Sequence, residues 1–265
     1  ILEAHLRGIV TSTTVMVNYP AAAPGLERAL TEAPDLGIGL HITLTSGRPV
    51  SAPETVRSLL TDGGEFIHIG AWPAQMSHFE PDHLQREIAA QVDRFLALTG
   101  RPPDHLDSHH HAAYLHPDGL RALLEIAAGF GIPMRAGMAD LPLDMAAAAL
   151  ARILPEFDTS VSLPLVERLQ VLLATGPAPF WPARLEMGYY DKTATLGDLL
   201  LILTTLPEDS VTELMCHPGY VDDELGHSGY RARREEEIVH LTHAATLECV
   251  RAEGIQLTSF GDLTR

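Results

Sequence analysis

The chain has 265 residues, of which 35 are Asp or Glu and 18 are Lys or Arg, so its formal net charge is -17. This charge repels the phosphates of nucleic acids and of anionic lipids, which argues against both as partners. The two cysteines, Cys216 and Cys249, form no CxxC pair, and no apolar run approaches the roughly 18 residues of a membrane span, which predicts a cytoplasmic protein without a disulfide framework or a thiolate zinc site.

The predicted elements alternate between short β-rich runs and helical stretches, which is typical of repeated βα units. The chain opens on the second half of an amphipathic helix, since Gly8 ends the pattern and no start signal precedes it. We predict strands near residues 13–18, 37–44, 104–108, 133–136, 184–188, 211–216 and 255–258. We predict helices near residues 21–32, 80–99, 117–130, 160–174, 195–205 and 230–252, and the Ala-rich stretch 145–151 also favours a helix.

The strand count indicates an α/β fold of the barrel type. One strand before Ile1 would add an eighth to the seven and close a (β/α) barrel. We therefore predict a single domain over residues 1–265, a distorted TIM-like (β/α) barrel whose first strand is missing from the chain. Residues 45–79 are predicted to be an inserted excursion or small hairpin that could cover a site.

A histidine-rich run, His105-Leu-Asp107-Ser-His109-His-His111, closes the predicted third strand. If the strand continues, His105, Asp107, His109 and His111 alternate onto one face, where they could hold a metal. We favour His109 as a ligand, with Asp107 orienting an imidazole. The alternative is that these histidines are solvated loop residues.

Three further polar residues stand at predicted strand ends, where catalytic groups of (β/α) barrels lie. These are His41, Arg135 and His217. Taken singly, His41 could be a core histidine, Arg135 a surface ion-pair partner and His217 part of a turn before Pro218-Gly219. Their joint position favours a site.

Other polar and aromatic residues carry weaker signals. Cys216 is predicted to pack behind His217 as a small core residue, because neighbouring strand residues face opposite sides. The opening of the last helix, with its Arg and Glu residues, is predicted to be a solvated, ion-paired face. Tyr189, Tyr190 and Trp181 could stack on a sugar ring or be core aromatics. No GxSxG, P-loop or GxGxxG motif is present.

Three spaced segments resemble the YdjC-like carbohydrate deacetylases, a family that includes chitooligosaccharide deacetylases and hopanoid-biosynthesis-associated members. They are Gly39-Leu-His41-Ile-Thr-Leu-Thr45, the histidine-rich run, and Glu213-Leu-Met-Cys-His217-Pro-Gly-Tyr220-Val-Asp-Asp-Glu224. The segment 11–18 and the sequence Ser228-Gly-Tyr230 followed by Arg234 and Glu237 are similar to the family pattern too. The similarity runs essentially from end to end.

The resemblance implies a distorted (β/α) barrel and a divalent-metal-dependent N-deacetylase. Family members bind the metal through an aspartate and two histidines, which correspond here to His41 and His109, with His111 in reserve. Mg²⁺ or Zn²⁺ is the expected ion. His217 is expected to act as general acid or to stabilise the oxyanion, and Asp107 and Arg135 are assigned to the catalytic group. The expected substrate contacts are His105, His111 and Tyr220.

The family's first strand ends in an Asp-Asp-Phe-Gly motif that would supply the metal aspartate and a base. No Asp precedes Asp35 in this chain. We therefore expect an incomplete metal site, an Arg135 that lacks its carboxylate partner, and a chain that is inactive as it stands.

The predicted function is a metal-dependent hydrolase that removes acetyl groups from N-acetylated amino sugars or oligosaccharides. One alternative is a metal-dependent phosphoesterase, against which the negative charge argues. Another is a non-catalytic sugar- or metal-binding relative that lost its Asp-Asp motif. A homodimer is the default expectation for assembly.

Overall fold

A computed structural model describes residues 1–135, 143–153, 159–177, 179–222, 225 and 230–264. The strands are β1 (Ser12–Val15), β2 (Gly37–Ile42), β3 (Leu106–Ser108), β4 (Arg184–Glu186) and β5 (Thr212–Leu214). The helices are α1 (Leu2–Leu6), α2 (Ala22–Glu32), α3 (Trp72–Gln75), α4 (Pro81–Thr99), α5 (Ala112–Leu115), α6 (Pro117–Phe130), α7 (Leu143–Ile153), α8 (Thr159–Thr175), α9 (Leu196–Thr204), α10 (Ala232–Leu241) and α11 (Ala244–Ala252).

The strands of the described chain form two small sheets. One has the order β1-β2-β3, and in it β2 and β3 are parallel, with His41 opposite Asp107. The other pairs β4 and β5, also in parallel. The fold is therefore α/β with parallel sheets, as predicted, while the closed barrel stays a prediction.

Two predicted strands differ in the structure. Near 133–136, Met134 makes only an isolated parallel bridge with Leu106. The strand predicted near 255–258 is wrong, because these residues have no regular structure. Leu257 of this segment is 48% exposed, so the apolar side chain that suggested a strand is not packed into a sheet.

The chain divides into two compact units, which we name after a histidine in each. The His41 unit comprises residues 14–27, 38–180 and 264–265. The His217 unit comprises residues 1–13, 28–37 and 181–263. The single domain stays a prediction, and each unit is described by itself.

In the His41 unit, α4 holds the chain that leaves β2. The helix begins with Pro81 at its first turn and ends at Gly100, whose φ of 70° is left-handed. Its buried Gln91 donates to the carbonyl of Thr43 (2.7 Å) and accepts the Thr43 N–H (2.9 Å), and its buried Glu87 accepts the Val50 N–H (3.0 Å). These bonds satisfy backbone groups that have no partner in the sheet, and they hold the segment that follows His41 in place.

The excursion over residues 45–79 consists of short helical turns and one antiparallel bridge. The bridge joins Leu60 to Phe66. The inserted excursion or small hairpin that could cover a site stays a prediction. Trp72 is buried, donates from Nε1 to the carbonyl of Ile67 (3.1 Å) and packs against Phe79. The excursion therefore has an apolar anchor of its own.

The His217 unit contains the β4–β5 pair with α1, α9, α10 and α11. The single helix predicted over 230–252 is two helices, because the chain breaks at Thr242 and His243. The imidazole of His243 accepts the Ala245 N–H at 3.1 Å, which caps the start of α11. None of the helices described in either unit combines the length and apolarity that a bilayer span requires.

We predict that Gly39→Ala destabilises the protein by about 1–3 kcal/mol, because an added Cβ would lie 2.6 Å from ring atoms of the buried His105. Gly129→Ala, near the end of α6, is the matched control, since its Cβ would meet nothing within 4 Å. We expect it to be neutral or to stabilise by up to about 1 kcal/mol. Urea unfolding of the three proteins compares the stabilities, and equal stability of the two variants would contradict the close packing at Gly39.

Candidate active site

The buried carboxylate of Asp107 in β3 contacts two side chains, His41 in β2 and Arg135 further along the chain. Asp107 has no exposed surface. Its Oδ1 lies 2.6 Å from Nδ1 of His41, the residue opposite it in the sheet. Its Oδ2 lies 2.8 Å from Nη1 of Arg135. The parallel register and the chain beyond β3 thus bring together three residues that were predicted to lie near one another.

The charges around Asp107 determine the protonation of this group. Burial by itself would raise the pKa of Asp107, but the charges of His41 and Arg135 and the hydrogen bond from His41 outweigh it and hold the pKa well below its usual range. An ionised carboxylate only accepts hydrogen bonds, so Nδ1 of His41 donates. In the neutral imidazole, Nε2 then carries the lone pair.

Thr14 belongs to the same cluster, although the sequence did not single it out. Its hydroxyl donates to Oδ2 of Asp107 at 3.3 Å and lies 3.3 Å from Nδ1 of His41. The run Thr11-Ser-Thr-Thr14 is polar throughout, so the sequence contains no signal that separates this hydroxyl from its neighbours.

His109 faces His41, as the metal-site prediction requires. Its Nδ1 lies 3.3 Å from Nε2 of His41, and the two rings meet edge to face. The strand has already ended at Ser108, however, whose hydroxyl donates to the carbonyl of Ile42 (3.1 Å) and accepts the Ala113 N–H (3.0 Å). These two bonds turn the chain from β3 into α5.

The predicted alternation through His111 is therefore wrong. His110 and His111 have left-handed φ angles of 53° and 55°, which are rare for residues with a side chain. His110 lies with its ring 3.9 Å from that of His109 and its Nδ1 3.0 Å from the hydroxyl of Thr45. It was not predicted as a site residue.

His111 and His105, which were expected to contact the substrate, are both at least half-buried. His111 is half-buried with its ring 6.3 Å from that of Tyr114, and burial lowers its pKa to about 3. His105 is only 2% exposed, packs against Gly39, and has a pKa lowered by burial to about 3. This burial places His105 in the core as a neutral imidazole, and its assignment to substrate binding stays a prediction.

The expectation that Arg135 lacks a carboxylate partner is also corrected. Asp107 is that partner, at 2.8 Å. The hydroxyl of Tyr114 donates to the carbonyl of Arg135 (3.3 Å), which holds the backbone near the guanidinium.

The spacing of Nε2 of His41 and Nδ1 of His109 fits two ligands of one divalent ion. Two imidazole nitrogens that bind one ion at about 2.1 Å each lie about 3.0–3.4 Å apart, and the separation here is 3.3 Å. The Asp107–His41 hydrogen bond is the carboxylate support that metal-binding imidazoles usually have. Within the described residues, no group of three or more His, Cys, Asp and Glu side chains is arranged to hold a metal.

In the His217 unit, α10 holds the backbone of His217. The buried carboxylate of Glu237 accepts the His217 N–H at Oε2 (2.5 Å) and the Tyr230 hydroxyl at Oε1. Arg234 donates from Nη1 to the carbonyl of His217 (3.4 Å), and its own carbonyl accepts the Gly219 N–H (3.1 Å). The loop after β5 is thus held at the backbone N–H and the backbone carbonyl of His217.

The start of α10 is only in part the solvated face that was predicted. Arg233 and Glu236 form an exposed ion pair at 2.9 Å, as expected. Glu237 is buried, and this burial raises its pKa although the bonds from Tyr230 and His217 act to lower it. The i, i+4 charge pattern does not show which side of a helix packs against a loop.

The other predicted residues of this unit are partly exposed. Cys216 is half-buried, whereas a core position was predicted. Tyr220 is 66% exposed, and its hydroxyl donates to Oε2 of Glu3 on α1. Its predicted role in substrate binding stays a prediction.

Comparison with known proteins matches this chain to YdjC-like proteins over almost its whole length. Residues 1–252 match the family model described as YdjC-like protein. A carbohydrate deacetylase of Thermoanaerobacter pseudethanolicus is 33% identical, with 99% of this chain and 92% of that protein covered. A chitooligosaccharide deacetylase of Proteus mirabilis is 32% identical, with 99% and 91% covered. A crystal structure from Enterococcus faecalis matches with a TM-score of 0.79 at 28% identity, with 99% and 91% covered.

We predict that Asp107→Asn lowers the free energy of unfolding by about 3–5 kcal/mol at neutral pH, because it leaves the Arg135 guanidinium without its buried counter-charge. The pKa of Asp107 is depressed in the folded protein, so this stabilisation is present above the ordinary Asp pKa of about 4 and is lost as the pH falls below it. Urea unfolding at several pH values measures both effects. Asp118→Asn, which breaks the partly exposed Asp118–Arg121 pair, should cost about 1 kcal/mol or less.

We also predict that Glu237→Ala destabilises the protein by about 2–4 kcal/mol, since the buried Tyr230 hydroxyl and the part-buried His217 N–H lose their acceptor. The His217 amide should exchange its hydrogen faster, and peptide-level exchange measured by mass spectrometry detects this. Glu236→Ala on the same helix, whose partner Arg233 is exposed, should change stability by less than about 0.5 kcal/mol. Unchanged exchange at His217 in Glu237→Ala would contradict this role of the carboxylate.

Proposed function

The chain belongs to the YdjC-like family, and on that basis we propose that it is a hydrolase that removes acetyl groups from N-acetylated amino sugars or oligosaccharides. Relatives that align with 99% of its length are named carbohydrate deacetylase and chitooligosaccharide deacetylase. The structural observation that best supports the proposal is the buried Asp107, which orients His41 toward His109.

Each residue of the Arg135–Asp107–His41 group has a separate task in this proposal. Arg135 keeps Asp107 ionised, Asp107 holds the proton of His41 on Nδ1, and Nε2 of His41 therefore presents its lone pair to the site. The hydroxyl of Thr14 contacts both side chains and restricts their rotation. A hydrolytic site needs such fixed groups, because a misplacement of about 1 Å can cost 10²-fold in rate.

We propose that His41 Nε2 and His109 Nδ1 hold a divalent ion, Mg²⁺ or Zn²⁺. The 3.3 Å separation of the two atoms and the carboxylate behind His41 support this. When bound, such an ion supplies Lewis acidity to an amide carbonyl and to water. The ring of His110, stacked on His109 and close to the Thr45 hydroxyl, would keep His109 in its ligating orientation.

His217 is our proposed proton donor to the leaving amine. Amide hydrolysis releases an amine that is a poor leaving group unless it is protonated, and histidine is the side chain most often used for that transfer. The support for this role lies within the His217 unit, where Glu237 and Arg234 hold the backbone N–H and carbonyl of His217. The cytoplasmic location, the homodimer and the closed barrel stay predictions.

The proposal predicts release of acetate from N,N'-diacetylchitobiose and its loss on chelation. We expect His41→Ala and His109→Ala to lower kcat/KM by at least about 10²-fold, whereas His78→Ala, which removes an exposed imidazole, should leave it unchanged. Acetate is measured by a coupled assay before chelation, after chelation, and after addition of Mg²⁺ or Zn²⁺.

Activity that persists in chelator would contradict the metal proposal. Sugar binding without acetate release would favour the non-catalytic alternative, and hydrolysis of a phosphodiester in place of the amide would favour the phosphoesterase. A preparation with His78→Ala must show the same melting temperature as the wild type for the comparison to stand.

A further inference from the structure

The adjacent residues Tyr189 and Tyr190 have opposite environments in the His217 unit. Tyr189 has no exposed surface, and its hydroxyl lies 3.1 Å from Nδ1 of His240. Tyr190 is 44% exposed. The first therefore anchors the chain in the core, and the second leaves part of an aromatic ring in contact with solvent.

The ring of Tyr190 is supported by two other rings. It lies 4.4 Å from the ring of Tyr230 with a tilt of 31°, and 5.3 Å from the ring of His217 at 73°. Tyr230 is itself buried and bonded to Glu237. One face of Tyr190 thus rests on a fixed aromatic, while the exposed remainder of the ring lies beside the imidazole that we propose as proton donor.

The backbone at Tyr190 is held as well. The hydroxyl of Thr193 lies 2.8 Å from the carbonyl of Tyr190 and 2.6 Å from that of Gly188. Asp191, the next residue, has a left-handed φ of 50°, which turns the chain sharply after Tyr190. An aromatic ring that is fixed before binding loses little conformational entropy when a ligand covers it.

We propose that Tyr190 is a substrate-contacting residue that stacks on one pyranose ring of an N-acetylated oligosaccharide, next to His217. This inference rests on the proposed function for the identity of the ligand. The C–H face of a pyranose is apolar while its edge is polar, so it matches a half-exposed ring with an imidazole at its side. A neutral sugar also suits a protein with a net charge of -17, which disfavours phosphorylated ligands.

The test compares Tyr190→Ala and Tyr190→Phe in a His109→Ala background, so that turnover does not interfere. The probes are N,N'-diacetylchitobiose and N,N',N''-triacetylchitotriose, and binding is followed by calorimetry and by saturation-transfer NMR. We expect Tyr190→Ala to weaken binding by about five- to tenfold and Tyr190→Phe to stay within about twofold, because the ring and not its hydroxyl makes the contact. Phe130→Ala removes an exposed aromatic from the end of α6 and should leave binding unchanged.

Each outcome decides the inference. Equal affinity of Tyr190→Ala and the parent overturns it, as does an equal loss in Tyr190→Phe or the absence of any binding of both sugars. Melting temperatures show whether Tyr190→Ala has folded. If it has not, the test is made on Tyr190→Phe by saturation-transfer NMR, which detects saturation passed from the protein to the C–H protons of the bound sugar. Acetate release by the wild-type protein together with Tyr190-independent binding removes this inference alone. Tyr190-dependent binding without acetate release by the wild-type protein removes the proposed deacetylation and retains the sugar site.

Discussion

A carboxylate without exposed surface is costly to desolvate unless opposite charges and hydrogen-bond donors surround it. Asp107 is such a group, and its partners His41, Arg135 and Thr14 come from three separate stretches of the chain. The parallel pairing of β2 and β3 places His41 beside it, and the chain beyond β3 supplies Arg135. Removal of any one partner leaves buried charge or polarity unsatisfied, so the position of the whole group is tied to the folding of the His41 unit.

The same pairing holds the His41 ring in one orientation through its hydrogen bond to Asp107. Asp107 accepts the hydrogen bond from Nδ1, and Nε2 points toward His109. The turn over residues 109–111 then carries the chain from β3 into α5, with left-handed backbone at His110 and His111. Such backbone is unfavourable for residues with a side chain and persists where surrounding contacts hold it, here the Ser108 bonds and the Thr45–His110 contact.

Local signals in the sequence predicted most helices well, because their ends are encoded by neighbouring residues. Pro81 and Gly100 bound α4, and Pro117 and Gly131 bound α6. Strand ends depend on partners distant in sequence, so the run after Asp107 was extended through His111 when it stops at Ser108. The partner of Arg135 was missed for a similar reason. The family pattern directed attention to a different carboxylate, while the parallel bridge between Leu106 and Met134 places Arg135 next to Asp107.

The two units use a buried carboxylate for different purposes. Asp107 binds a side chain, and so it decides which nitrogen of His41 is presented. Glu237 binds the backbone N–H of His217 and the hydroxyl of Tyr230, and these two bonds position the backbone of His217 and the ring of Tyr230. In the proposed reaction His217 exchanges a proton, and the carboxylate that positions it acts through the backbone N–H. In the proposed metal site His41 presents a lone pair, and the proton fixed on Nδ1 by Asp107 keeps Nε2 available.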